Sequence, residues 1–256
     1  MISPLAALSS GAFSSRGKRT TPVYGVMFHT TGQGVPSSVG WKGDKALDRA
    51  IQIYNNSGGP HYVIGWDGKI VATVRDENIR GAHAGVTSDI KPYYERGVWE
   101  NKVSAQGVKL WKERWPGKNS PIDLIPTRNL GNINDLWIGV EMIPISGDGR
   151  TYYAPPAYPG ARFTLAQHEA ARNLADDIAK RHNFPSGWKS KSSTRLVGHS
   201  DLNPIERDSV SLPLWDPGSF GPVPQFSMEF VRGGNAGWLI AAGLALGLGF
   251  YLSKYV

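Results

Sequence analysis

The sequence predicts an α/β fold, a mixed central β-sheet flanked by helices, and three observations carry that prediction. Short apolar, β-prone runs alternate with segments of helical periodicity. An Asp-Gly pair joins two of the runs in the manner of a β-hairpin. The composition, 40% hydrophobic and 19% charged over 256 residues, is that of a globular chain long enough for one good core.

Taken in order, residues 1–20 carry a weak apolar patch ahead of their basic residues. This reverses the order of a secretory signal, and the segment reads as a flexible arm. Val23–Phe28 reads as a buried strand ending at His29, followed by a Gly/Ser-rich loop. From Asp44 to Asn55, the residues Leu47, Ala50, Ile51 and Tyr54 recur at helical spacing until Ser57-Gly58-Gly59-Pro60 stops them. His61–Gly65 and Lys69–Val74 are two short strands joined by Trp66-Asp67-Gly68. Trp137–Met142 is another apolar strand. Thr164 and Gln167 form a capping box that opens a helix reaching about His182, with Leu174, Ile178 and several alanines on its apolar face. Thr194–Gly198 is the last strand and ends at His199.

Two stretches break this rhythm, one within the domain expected at 21–220 and one just after it. Residues 86–135 scatter Tyr93, Tyr94, Trp99, Trp111 and Trp115 among charges and prolines with no period. An insertion of that length is functional or has its own small structure. Residues 221–235 read as a linker. Beyond them, Gly237 to Leu252 carries no charge, with Trp238 and Tyr251 near its ends where amphipathic rings favour a membrane interface. The segment 236–254 therefore reads as a C-terminal transmembrane helix, slightly short of the roughly 20 apolar residues that span a bilayer. Gly243 and Gly247 give it a small-residue face for oligomerisation. The competing reading is a buried terminal helix in an oligomer.

The absence of cysteine excludes disulfides and thiolate ligands, so any metal must sit on His, Asp or Glu. A net charge of +7 favours an anionic partner such as acidic lipid, a bacterial wall or nucleic acid. The basic residues are scattered and no element interleaves them with aromatic rings, so no nucleic-acid partner is expected.

His29 and His199 each close an apolar strand, in VMFHTTG and RLVGHSD, where a side chain is rigidly held yet reaches the open end of a sheet. Asp216 follows in LWDPGSF. Two imidazoles and a carboxylate suit a catalytic zinc with one position left for water. Spacing alone does not separate this set from structural histidines.

The ordered blocks VMFHTTG, HYVIGWDGKIVATV, GAHAG, WIGVEM and VGHSDLNP…WDPGSF resemble the type 2 N-acetylmuramoyl-L-alanine amidase family, which includes phage lysins, wall-recycling amidases and peptidoglycan recognition proteins. The resemblance spans about residues 23–220. It implies Zn2+ held in a groove by His29, His199 and Asp216, with Asp208 as an alternative carboxylate that the Asp-Pro-Gly context disfavours. Glu141, in WIGVE, falls on the family's acidic position, where it orients the attacking water or takes its proton. His61 and His83 match positions that line the substrate groove or brace its wall, whereas His168, on the polar side of its helix, and His182, at a helix end, read as ordinary. Leu214 departs from the family, which often has a basic residue two positions before the last ligand. Arg207 could substitute, the zinc could carry the oxyanion alone, or activity could be weak or lost.

The resemblance thus implies a hydrolase that cuts the amide between N-acetylmuramic acid and L-alanine of peptidoglycan. The tail suggests a membrane-tethered phage or virion lysin, located in a virion membrane or the bacterial envelope. The aromatic insertion is expected to add wall contacts, since sugars stack on Trp and Tyr faces. Two other classes compete: a non-catalytic peptidoglycan-binding module and a structural envelope or virion component on the same fold. The presence of all three ligand candidates argues against the binder, and Leu214 argues for it.

Overall fold

The computed structural model describes residues 17–30, 47–54 apart from 49 and 53, 59–74, 76–84, 91–127, 133–143, 163–207 and 226–234. Five strands form one sheet in the order β3-β2-β4-β1-β5, with β1 Gly25–Thr30, β2 Tyr62–Ile64, β3 Ile70–Ala72, β4 Trp137–Met142 and β5 Leu196–Gly198. β1 runs parallel to both β4 and β5, and β2 runs parallel to β4. Only the β2–β3 hairpin is antiparallel, as the Asp-Gly turn requires. Gly68 closes that turn at φ 82°, in the left-handed region where glycine is at ease.

Every residue of β1 and β4 is buried, because helices and loops cover both faces of the sheet. Strand alternation sorts their side chains. Val26, Phe28, Ile138, Val140, Met142 and Leu196 face helix α4, Leu165–Arg181, and meet its Ala171, Leu174, Ala175 and Ile178. The helix opens on the expected capping box. Thr164 accepts from the Gln167 N–H at 3.0 Å, and the Gln167 side chain accepts from the Thr164 N–H at 3.0 Å. Gln167 also donates to the carbonyls of Ile64 and Ile143, which ties the helix to the ends of β2 and β4.

Met27, Trp137 and Val197 point to the other face, and the insertion covers it. Its described part contains α1 Lys91–Glu95, a 3-10 turn at Trp99–Lys102, α2 Ala105–Arg114, a second 3-10 turn at Pro121–Leu124 and α3 Ile133–Leu136. Here the structure corrects the sequence reading. Trp99, Trp111, Trp115 and Tyr94 are buried as a hydrophobic core, so their faces do not meet a polymer in solution. The missing periodicity follows from this: each ring docks by long-range packing, not along one helical stripe.

Two boundaries also move. Residues 226–234, assigned to a linker by composition, include a helical turn, α7 Met228–Val231, whose Phe226, Met228 and Val231 join the α4 core. His168 explains their position. Its Nδ1–H donates to the Thr164 carbonyl at 2.7 Å, its Nε2 accepts from the Ser227 N–H at 2.9 Å, and its ring stacks on Phe226. Burial pushes this imidazole below its ordinary value, which suits the neutral tautomer that those two bonds demand. His168 is therefore an internal anchor and not a polar-face residue.

At the other end, residues 17–20 of the expected arm are tied down. Lys18 bridges Ile79, and Arg19 donates to the carbonyls of Glu77, Asp135 and Trp137. Among the described residues no helix is long and apolar enough to cross a membrane, and the expected tail at 236–254 lies outside them.

Candidate functional site

Strand parity decides which chemistry-bearing side chains meet. His29 and Glu141 occupy odd positions on β1 and β4, are partners in the parallel register, and share the insertion-facing side of the sheet. Both are buried. His199 follows β5 directly, and its ring centroid lies 4.5 Å from that of His29. The two histidines picked out at strand ends therefore converge, with Glu141 beside them. Asp216, Asp208 and Leu214 lie outside the described residues, as does the side chain of Arg207. Among the described residues no group of three His, Asp or Glu side chains is gathered to hold a metal.

Two further histidines back this pair. His83 places Nδ1 2.9 Å from His29 Nε2 and Nε2 3.3 Å from the Trp137 carbonyl. Only a donor can face a carbonyl, so His83 Nε2 carries the proton and Nδ1 accepts from His29 Nε2–H. His29 Nδ1 is then the lone-pair nitrogen of its ring. The His83 ring lies in a slot made by two glycines. A Cβ on Gly139 would come 2.3 Å from His83 Cγ, and one on Gly81 would come 2.3 Å from His83 Cδ2. These glycines are needed for space. Asn134 closes the slot by accepting from the N–H groups of His83 and Ala84 at 3.0 and 2.9 Å.

His61 is wholly buried behind His83. Its Nδ1 accepts from the Gly139 N–H at 3.0 Å and its Nε2 faces the Ile79 carbonyl at 3.0 Å, with Arg19 against the same edge. This bonding makes His61 a brace for the wall. The sequence reading missed Arg19, Arg80 and Asp135, which have no motif to mark them. Arg80 grips the buried Asp135 carboxylate with two bonds of 2.7 and 3.0 Å, fixing the start of β4. Burial lowers the Arg19 guanidinium to about 10. His182 donates to Glu77, which also takes bonds from Arg181 and Tyr62. Burial pushes that carboxyl up, but the three bonds outweigh it and hold it at about 2.

On the far side of the pair, the insertion grips the segment that carries His199, namely α5 His199–Leu202 and α6 Pro204–Arg207. Trp111 and Trp115 donate their indole N–H groups to the carbonyl and side chain of Asp201, and Tyr94 bonds Asn203.

The sequence model of the family described as N-acetylmuramoyl-L-alanine amidase matches residues 19–219, most of the chain. The chain belongs to this family. The matched span contains His29, His61, His83, Glu141, His199 and Asp216, together with the insertion, and peptidoglycan amidase activity in general is the activity that membership carries. No curated protein is significantly similar to the chain in sequence.

Proposed function

We propose that this amidase is zinc-dependent and cuts the amide between N-acetylmuramic acid and L-alanine, with His29, His199 and Asp216 as metal ligands and Glu141 as the proton-handling group. The observation that carries the reading is the convergence of His29 and His199 beside Glu141 at neighbouring strand ends. The donor chemistry fits: two buried imidazoles, one with its lone-pair nitrogen set by His83, and the Asp216 carboxylate 17 residues beyond His199 in the sequence. Zinc bound there supplies a Lewis acid that polarises the scissile carbonyl and brings the pKa of water toward neutrality.

The protein's own groups do the rest. His83 keeps the proton of His29 on Nε2, so that Nδ1 remains a ligand. The Glu141 carboxylate accepts the proton of the attacking water and returns it to the amine of L-alanine as the C–N bond breaks. The surrounding apolar strands exclude bulk water and strengthen each of these interactions.

The test is to incubate the full chain in detergent with peptidoglycan, with and without a zinc chelator, and to identify products by mass spectrometry. Stem peptides with free L-alanine amines, appearing only with metal, are expected. Intact glycan-linked stems despite bound protein would favour the non-catalytic binding module, with Leu214 as the first residue to explain.

The placement of the enzyme belongs to the same proposal. Residues 236–254 tether the domain to a lipid membrane, as in a phage or virion lysin, with Gly243 and Gly247 as the helix-packing face. Support comes from the uncharged run and its flanking Trp238 and Tyr251. Membrane extraction of the protein with and without residues 236–256 tests this, and a shortened chain that still pellets with membranes contradicts it.

A further inference from the structure

We infer that the insertion positions the His199 segment: Tyr94, Trp111 and Trp115 hold residues 198–205 in the pose that turns His199 toward His29, and so set the metal affinity of the site. The inference rests on the zinc reading above for its functional consequence, though not for its geometry.

His199 needs such support. It follows β5, a strand of three residues that among the described residues is an edge strand paired with β1 alone. α5 is a single turn of four residues, too short to hold its own shape. Neither element can fix the direction of an imidazole by itself.

The insertion supplies what is missing. The Asp201 carboxylate accepts from the Gly198 N–H at 2.9 Å and from the Trp115 indole at 3.1 Å, so one side chain links the end of β5 to the insertion. Trp111 donates to the Asp201 carbonyl at 2.9 Å. The Tyr94 hydroxyl donates to Asn203 Oδ1 at 2.8 Å and accepts from the Ile205 N–H at 2.9 Å, while the Asn203 N–H closes α5 on the His199 carbonyl at 2.9 Å. The bonds are buried, and the aromatic donors are stiff. Trp99 packs edge-on against Trp111 at 4.9 Å, Arg114 stacks on Trp115 at 4.1 Å, and Ser120 anchors the Tyr94 backbone. Two-torsion side chains locked this way transmit position where longer ones would bend.

The insertion also contains its own control. Trp99 is equally buried, but its indole bonds the Asn119 carbonyl, inside the insertion. Trp99→Phe therefore removes one indole bond, keeps an aromatic ring against Trp111, and leaves every bond to the His199 segment in place. Trp115→Phe removes one bond to it and Tyr94→Phe removes two.

The experiment uses the full chain in detergent and has two arms. In the first, zinc affinity is measured by competition with a chromophoric chelator, and the cobalt-substituted protein gives a visible spectrum. Trp115→Phe and Tyr94→Phe are expected to weaken zinc binding about 10-fold, the lower end for residues that orient a ligand, and to alter the cobalt bands. Trp99→Phe should leave both unchanged at a comparable loss of melting temperature. In the second arm, hydrogen exchange of the metal-free protein should quicken at residues 198–205 in the first two variants and not in Trp99→Phe. Equal behaviour of all three variants in either arm overturns the inference. A wild-type chain that binds no zinc sinks the zinc reading, and the exchange arm still decides whether the insertion holds this segment.

Discussion

His29 and His199 lie side by side, yet their surroundings hold them in opposite ways. His29 belongs to β1, which is paired on both sides, so its backbone is fixed by the sheet and only the ring needs orienting. One imidazole in a glycine slot does that: His83 sits between Gly81 and Gly139 and bonds His29 Nε2. His199 leaves an edge strand, and there the backbone itself needs holding. The chain answers with hydrogen-bond donors from the insertion. Here the imidazole in the middle of the sheet is set by a close-fitting slot, and the one at its edge by polar contacts from the insertion.

The comparison is broken most completely by removing either ring. His29→Ala and His199→Ala should each reduce release of stem peptides to the level of chelator-treated wild type. If one variant stays fully active, the two rings do not share a centre. Next in size is Glu141→Gln, expected to lower kcat by about 10²- to 10⁴-fold while zinc content, read by atomic absorption, stays that of wild type.

Gly139→Ala sharpens the contrast. Its new methyl must displace the His83 ring, so zinc affinity should fall by about 10- to 100-fold, and unfolding in urea should show a loss of about 1–3 kcal/mol from overpacking. His83→Ala should weaken zinc similarly without the overpacking term. His83→Asn, whose Oδ1 can accept the His29 proton, should recover most of the affinity, and equal losses in the Asn and Ala variants would show that the acceptor is irrelevant.

The smallest effect lies outside both sides. His168 is held neutral when folded, its value pushed below 6.5 by burial. Its contribution to stability is therefore complete above about 6.5 and is lost as pH falls from there through the lowered folded value. Glu77 acts in a separate window, since its stabilisation is lost only between about 4.5 and about 2. Thermal melts at pH 7.5 and 5 should show an acid loss in wild type that His168→Gln reduces, with zinc affinity at neutral pH unchanged in both.

Local signals made much of this legible. The apolar runs of β1 and β4, the Asp-Gly hairpin and the Thr164–Gln167 capping box are each written within a few residues, and the structure has all of them. The convergence of His29, His199 and Glu141 was readable because strand ends and a motif order both marked them. Other features depend on partners far along the chain. Nothing near Arg19 announces that it will bond Asp135, Trp137 and Glu77. The polarity of His168 hid its place under Ser227, and the glycines around residues 226–234 resembled a linker. The tryptophans of the insertion were visible, but sequence alone could not say whether they faced inward or outward. Asp216, Leu214 and the uncharged tail lie outside the described residues and remain expectations from the sequence.

The seating of residues 226–234 has a consequence for how this domain would be carried. They rest on the α4 side of the sheet, whereas His29, His83, Glu141 and His199 belong to the opposite side. Gly234, the last described residue of that segment, thus ends on the side of the sheet away from His29 and Glu141. Under the tether proposed for residues 236–254, the working side would be turned away from the anchoring point, with the domain's own thickness as a spacer. A polymer lying across from the anchor would then be met head-on.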